Sequence, residues 1–298
     1  MSLANIDWAL WRSFLAILRA GSLSGAARAL DVAHPTVRRH LDELEAKLGS
    51  PLFVRSPSGL IPTELANSLY EPAQIMEAAA AQLVRAASAD AGEVAGIVRI
   101  TASEIVGVEV LPPILRALKV RHPGLSLELA ITNSVEDVLR HDADIAVRMT
   151  RPVQTALLAR KVGAIPLGLY AHESWIARQG VPATLTEVIA AGSLIGYDRQ
   201  TDIIRGLRTA GLSINPADFG FRSDSDLAQL AALRAGLGVG ICQCPLAARD
   251  PMLRRVLPSF FHELDTWLVI HPNLRGVARV RAAVDVLAEG LNAYILGS

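Results

Sequence analysis

Cysteine is almost missing from this chain of 298 residues, with Cys242 and Cys244 the whole complement. Two thiols one residue apart cannot form the disulfide framework of a small secreted fold and lack the two-residue gap of a zinc knuckle, so they read as packing residues. Net charge is missing too. Twenty-nine basic side chains balance twenty-nine acidic ones, so nucleic-acid binding cannot be argued from global charge. No apolar run reaches the roughly eighteen residues that a membrane span needs. The stretch Met1 to Asp7 has no basic region followed by an apolar core and a cleavage site, which points to a cytoplasmic protein with no membrane partner. Catalytic signatures are equally scarce. There is no G-x-S-x-G elbow, phosphate loop or H-E-x-x-H, and Gly236-Leu237-Gly238-Val239-Gly240 precedes a strand instead of opening a helix after one. His122, His141, His172, His262 and His271 stand singly, without metal-ligand spacing. The expectation is a protein that is not an enzyme and that carries no metal or cofactor.

What the chain does have is apolar mass. Hydrophobic residues make up 51% and the mean hydropathy is +0.33, enough for more than one buried core. Ile6, Trp8, Leu10, Trp11, Phe14, Leu15 and Leu18 form a helical apolar stripe, which reads as core and not as a base-stacking platform. Next come Ser22 and Ser24, of which Ser24 is the expected N-cap of a short helix through Leu30. In that helix Ala26, Ala27 and Ala29 allow close approach, and Leu23 and Leu30 supply buried contacts. Asp31 suits a left-handed turn, and Val32 is expected to plug the small core. A second helix opens near His34-Pro35, where proline is tolerated because a first-turn amide has no intrahelical partner. Val37, Leu41, Leu44 and Leu48 recur at helical spacing, so His34, Thr36, Arg38, Arg39, His40 and Asp42 share the other faces. Either Arg38 or Arg39 can grip guanine in the major groove or hold a phosphate, and the spacing does not decide which. After Gly49, Leu52 to Ile61 reads as a hairpin, with Arg55 placed to meet a DNA backbone. Residues 1–60 carry only two more basic than acidic groups, so affinity would depend on a doubled footprint.

The run F-L-A-I-L-R-A-G-S-L-S-G-A-A-R-A-L, then H-P-T-V-R-R-H-L-D-E-L-E-A-K-L-G, then L-F-V-R resembles the DNA-binding domain of LysR-type transcriptional regulators. The likeness covers roughly the first ninety residues. It implies a winged helix-turn-helix that binds a double-stranded DNA operator through Ser22, Ser24, His34, Pro35, Thr36, Arg38, Arg39 and Arg55. Three departures are visible: Ala33-His34 stand where the family usually has serine and glutamine, Arg38 stands where many members have serine, and Pro62-Thr63-Glu64-Leu65 follows the wing. Operator preference is therefore not transferable, and the uncapped helix start should cost about 1 kcal/mol of local stability.

Glu64 to Asp90 reads as one long helix with a heptad seam of Leu65, Leu69, Pro72, Met76, Ala79, Leu83 and Ala86. Pro72 on that seam should kink it. The helix either pairs with its copy in a second subunit, as the resemblance implies, or packs in cis. Beyond Ala91-Gly92-Glu93, strands alternate with helices. Strands are expected at 97–101, 125–132, 144–148, 157–162, 166–170, 194–197, 219–223, 239–242 and 266–270, and helices through 114–118, 135–139, 203–210, 226–235 and 277–294. This is the rhythm of open α/β sheets covered on both faces. With L-P-P-I-L-R-A-L-K-V-R-H-P-G-L, D-A-D-I-A-V-R and L-R-A-G-L-G-V-G-I, it resembles the effector half of the same family, a two-lobed α/β domain similar to periplasmic solute-binding proteins. The implied organisation is a DNA-binding domain over 1–62, a linker and dimerisation helix over 63–92, and an effector domain over 93–298. Lobe I would take about 93–166 and 268–298 and lobe II about 167–267, with crossing strands near Pro166–Tyr170 and Thr266–Ile270.

Small molecules bind beyond the carboxyl ends of strands in such folds. That rule selects Ser103, Glu104, Asn133, Ser134 and Arg148 from one lobe, and Asp198 to Thr201, Asp224-Ser225 and Cys242 from the other. The resemblance adds that positions like Ser103 and Arg148 often touch an inducer, and that the effector is a small carboxylic acid in many relatives. Ser103, Ser134 and Ser225 also suit helix capping, and Arg148 suits either an ion pair with Glu104 or an anion clamp. Glu104, Asp198 and Asp224 would oppose an anion unless paired. The resemblance further implies a homodimer, assembly to a homotetramer that bends DNA, and RNA polymerase as a possible partner. Two other readings remain open from sequence: a ligand-independent architectural DNA binder, and a solute-binding module of transport type.

Overall fold

The structure is a computed structural model that describes residues 6–56, 59–87, 94–132, 143–152, 157–199 and 214–297. It divides into two compact units with the boundary at Ala86/Ala87.

The first unit begins with α1 (Trp8–Ala20), whose N-cap Asp7 accepts a hydrogen bond from the Ala9 amide at 2.8 Å and which ends at left-handed Gly21. Helix α2 (Leu23–Leu30) is capped by Ser22, whose hydroxyl accepts from the Gly25 amide at 3.1 Å. This corrects the expectation for Ser24, which is exposed inside the first turn; the chain is already helical at Leu23, so the extended residue that can cap lies one step earlier. Asp31 adopts the left-handed conformation at φ 53° and ψ 47°. Val32 does not plug the core, being 40% exposed, and Ala29 also faces outward. Helix α3 (His34–Leu48) turns Val37, Leu41 and Leu44 inward. They meet Phe14, Leu15, Ile17, Ala26 and Leu52 in one small core. The hairpin β1 (Phe53–Ser56) and β2 (Gly59–Pro62) pairs Arg55 with Leu60. It is docked on the α1–α2 corner by a bond from the Leu60 amide to the Gly21 carbonyl at 3.0 Å. Gly59 is needed there: its φ is +126° and a Cβ would lie 2.8 Å from that same carbonyl oxygen.

Helix α4 (Glu64–Ala87) is continuous through Pro72. Its apolar residues are split between two uses. Leu65, Ala66, Leu69 and Ala73 pack on the helix-turn-helix core, whereas Ile75, Met76, Leu83 and Val84 are exposed.

The second unit is built on one continuous sheet. Strand β3 (Gly96–Ala102) leads into a π turn (Val106–Val110) and α5 (Leu111–Arg121). Pro112 and Pro113 explain the wide turn, because neither can donate to the carbonyl four residues earlier. The Leu111 amide reaches back to Val106 instead, and the Glu109 carbonyl accepts from the Arg249 guanidinium at 3.4 Å. Strands β4 (Leu125–Ile131) and β5 (Ile145–Arg148) run parallel to β3 on its two sides. Strand β6 (Leu158–His172) joins what the sequence suggests are two strands, and it is the longest strand among the described residues. After it come α6 (Glu173–Gln179), α7 (Leu185–Ala190), β7 (Ile195–Gly196), β8 (Phe221–Arg222), α8 (Asp226–Arg234), β9 (Val239–Gln243), α9 (Cys244–Ala247), β10 (Leu253–Val256), β11 (His262–Ile270) and α10 (Ala278–Leu296). Helices α6, α7 and α9 and strand β10 escape the sequence reading.

Strands β6 and β11 run antiparallel along each other from Leu158↔Ile270 to Leu167↔His262, with a register slip at Thr266/Trp267 that leaves Val162 unpaired. One end of this ribbon joins β5 and so the β3–β4 lobe; at the other, β6 pairs with β9 and β10. The larger apolar cluster runs from the first lobe into the second, where it takes in Leu230, Leu233, Cys242 and Leu246. Val98, Ile100, Leu111, Leu118 and Leu287 belong to the larger. Trp175, Val188, Leu194 and Val239 belong to a smaller cluster in the second lobe.

Candidate DNA-reading surface and inter-lobe site

The outward face of α3 is polar because its inward face uses up the apolar residues. His34, Pro35, Arg38 and Arg39 are exposed and Thr36 is half-buried. The helix starts at Ala33 without a side-chain cap and carries Pro35, which has no amide, in its first turn, so the Thr36 amide turns back to the Ala33 carbonyl at 2.9 Å. Arg38 lies 3.8 Å from Asp42, both more than half exposed, a contact too loose to hold the guanidinium. Ser24, Arg28, Asp31 and His34 rim a shallow open depression over the α2–α3 turn. Arg55 is exposed on β1, while Ser22 is committed to capping α2.

Two side chains that sequence reasoning passed over hold this surface in place. The Glu45 carboxylate accepts from the amides of Leu52, at 2.6 Å, and Phe53, at 3.2 Å, tying α3 to the foot of the wing. His40, grouped with the outward polar residues, is bonded through Nδ1 to the buried Ser13 hydroxyl at 2.7 Å. A carboxylate at position 45, among Leu41, Leu44 and Leu48, was the available signal. For His40 there was none, because Ser13 lies on another helix.

In the second unit the predicted residues fall into three groups. Ser103 lies at the carboxyl end of β3, half-buried, and its carbonyl accepts from the Gly107 amide at 2.8 Å to begin the following helical turn. Arg148 ends β5 with only 4% exposure; its guanidinium donates to the Val147 carbonyl and to Thr101 Oγ1 at 3.2 Å. These two are brought to the same sheet edge. Glu104 reaches across to the second lobe. Its Oε2 accepts from the Ser225 hydroxyl at 2.8 Å and from the Leu227 amide at 3.1 Å, at the start of α8. Asp224 is committed elsewhere, accepting from the amides of Asp198 and Arg199 and pairing with the Arg199 guanidinium at 2.9 Å. Cys242 is not at a surface at all: it sits in the main core at 5% exposure, and burial pushes its thiol up to about 12, so it is no reactive thiolate at neutral pH. Asn133, Ser134 and Thr201, and the helices expected at 135–139 and 203–210, lie outside the described residues.

The surroundings of Glu104 are acidic but bonded. Asp226 is raised above the usual carboxylate range by burial and also by Glu104, against the opposing effect of the Tyr197 hydroxyl, which donates to its Oδ1 at 2.8 Å. Tyr197 is raised in turn, first by burial and then by Asp226. Further along α8, Arg234 grips Glu109 with two bonds of 2.7 and 2.9 Å, and this hydrogen bonding lowers the Glu109 carboxyl below its ordinary range. At the end of β9, Gln243 accepts from the Tyr294 hydroxyl of α10 at 2.6 Å. No helix among the described residues is long and apolar enough to cross a membrane.

Comparison with known proteins separates the same two parts. Residues 8–67 match the family model described as bacterial regulatory helix-turn-helix protein, lysR family, and residues 91–292 match the LysR substrate binding domain. A probable HTH-type transcriptional regulator of Klebsiella pneumoniae, LtrA, is 25% identical over 295 residues, covering 96% of this chain and 95% of its own. The Mau operon transcriptional activator of Paracoccus denitrificans is 32% identical over 164 residues, covering 55% of this chain and 58% of its own. Among solved structures, the regulator CbnR aligns with a TM-score of 0.69 at 20% identity, over 95% of this chain and 99% of that one. CbnR complexed with its target DNA gives 0.68 at 21%, with the same coverage.

Proposed function

Since this chain belongs to the LysR family of transcriptional regulators, a DNA-binding regulator with an effector domain, we propose that α3 reads its operator and that a small effector seated between the lobes governs it. The observation that carries the DNA-reading half is the exposed row His34, Arg38 and Arg39 on a helix braced from behind by Glu45 and His40. Thr36 and Arg55 extend the same surface, Arg55 toward phosphates. Ser22 and Ser24 contribute differently from each other: Ser22 shapes the corner, and Ser24 faces outward beside Arg28. The organisation kept is 1–62 for DNA binding, 63–92 for the linker helix and 93–298 for the effector domain.

A second copy of the chain covers Ile75, Met76, Leu83 and Val84, the exposed apolar residues of α4 that are not used in cis. The resulting dimer places two α3 helices on a dyad-like operator, and pairs of dimers bend the DNA between them. RNA polymerase is a further partner of such an assembly. Acting on DNA places this work in the cytoplasm, and no catalytic role is assigned.

Effector contacts are assigned to Ser103 and Arg148, with Asn133, Ser134 and Thr201 as further contacts by their place in the sequence. A small carboxylic acid suits Arg148. Ser103→Ala is expected to lose effector response in a reporter assay while operator footprints stay native; normal induction in that variant would remove Ser103 from the site. A ligand-independent architectural role is separated by the same assay, since such a protein would respond to no metabolite.

A further inference from the structure

The turn that carries the chain from α3 into the wing commits its amides to one residue. Between Gly49 and Phe53, Pro51 has no amide, and the other four all donate to Glu45. Gly49 and Ser50 donate to its backbone carbonyl at 2.8 and 3.3 Å, which closes the helix in the ordinary way. Leu52 and Phe53 donate to its carboxylate, both at Oε1, at 2.6 and 3.2 Å. The first two bonds use a peptide group that any residue supplies. The last two need a side-chain acceptor that reaches past the helix end, and Phe53 is already the first residue of β1. From there the exposed Arg55 is two residues away along a paired strand.

A carboxylate at this place carries two electrostatic costs. Glu45 lies in the last turn of α3, where the helix dipole disfavours an anion. On a helix that meets DNA, its charge also opposes the phosphates, so on charge alone its removal would tighten binding. What offsets both is the strength of bonds to an ionised acceptor, roughly twice that of neutral ones. The other anchors of the wing lead to different elements. Thr63 donates to the Leu52 carbonyl, from its amide at 2.9 Å and its hydroxyl at 3.2 Å, and accepts from Ala66 at the start of α4. The Leu60 amide holds the α1–α2 corner. Glu45 ties the wing to α3 itself.

We propose that Glu45 is a positioning residue for DNA binding: it fixes the wing to α3, so that Arg55 reaches a phosphate at the same time as α3 enters the groove. This rests on the DNA-reading role given above to α3 and Arg55. The acid stays on a DNA-facing helix for the geometry it imposes on the wing, and it makes no DNA contact of its own.

The full-length chain, with a duplex that the native protein selects from a random pool, supplies the test. Glu45→Ala is expected to bind that duplex more weakly than the native chain, opposite to the sign that charge alone gives. The slope of log affinity against log salt should fall by about one, as for one lost phosphate contact. In that background Arg55→Ala should cost nothing further, whereas Arg39→Ala should cost as much as it does in the native chain. Glu45→Gln, which keeps an oxygen in place without the charge, should fall between native and Glu45→Ala. Without DNA, amide exchange at Leu52 and Phe53 should rise about tenfold or more in Glu45→Ala, because bonds to a charged acceptor are lost. Binding as tight as native, or tighter, overturns the proposal, and so does an undiminished cost of Arg55→Ala. Should Glu45→Ala also erase the cost of Arg39→Ala, as an unfolded domain would, the comparison is read in Glu45→Gln, and the same joint loss there overturns a role specific to the wing. If the native chain selects no duplex, the DNA-reading role fails instead, and the exchange result still stands on its own.

Discussion

The two units treat their polar residues in opposite ways. On α3 the side chains proposed to read DNA are spare: His34, Arg38 and Arg39 are exposed and contribute little to the fold around them. In the second unit the residues nominated for an effector are already employed, with Glu104 and Asp224 bonded to amides, Arg148 buried against Thr101, and Cys242 in the core. A surface that reads a large, rigid partner can leave its groups in water until contact. A site enclosed by two lobes cannot, because each desolvated polar group there must find a partner within the chain. Recognition residues are thus separable from stability in the first unit and entangled with it in the second.

The contrast can be broken most forcibly in the cores. Leu44→Ala, at a fully buried position, should cost about 2–5 kcal/mol and lower the melting of the first unit, with the second unit's transition in place by calorimetry. A common fall of both transitions would end the picture of two separate units. Next in size, Arg39→Ala should weaken operator binding by about 1–3 kcal/mol at moderate salt, with thermal stability within about 0.5 kcal/mol of native. Unchanged affinity by fluorescence anisotropy would remove Arg39 from the DNA-reading surface. The corner before α2 sharpens the point on a smaller scale. Ser22→Ala should cost about 1 kcal/mol by chemical denaturation, as the loss of an N-cap, and Ser24→Ala within about 0.5 kcal/mol; equal costs would return the cap to doubt.

The smallest effect concerns acid. Hydrogen bonding to Arg234 depresses the Glu109 carboxyl in the folded chain. Its contribution to stability is therefore present above the unfolded value of about 4.3 and is lost as pH falls through the lower, folded one. Glu109→Gln should flatten the acid side of the stability profile of the second unit. A profile that keeps its native slope would show that the pair adds nothing measurable.

Legibility followed the range of the interactions. The α3 apolar spacing, the left-handed Asp31 and the wing are local, set within a few residues, and each is found where the sequence places it. The cap of α2 was misplaced by two residues because both Ser22 and Ser24 are good caps, and only the packing of Leu23 against the first core selects between them. The break read between 162 and 166 fails because Pro166 sits opposite Glu263 within an unbroken β6, supported by β11 from a hundred residues away. Capping of α8 by Ser225 was readable; the carboxylate that completes it was not.

The order of the residues by itself determined most of the elements, the polar outward face of α3 and the family to which the chain belongs, since periodicity, capping and turn chemistry act between near neighbours. The tertiary structure alone decided which polar groups remain available. Whether Glu104 waits for a ligand or already grips α8, and whether His40 points at DNA or at Ser13, depends on donors brought alongside by folding from distant parts of the chain, and no local rule carries that information.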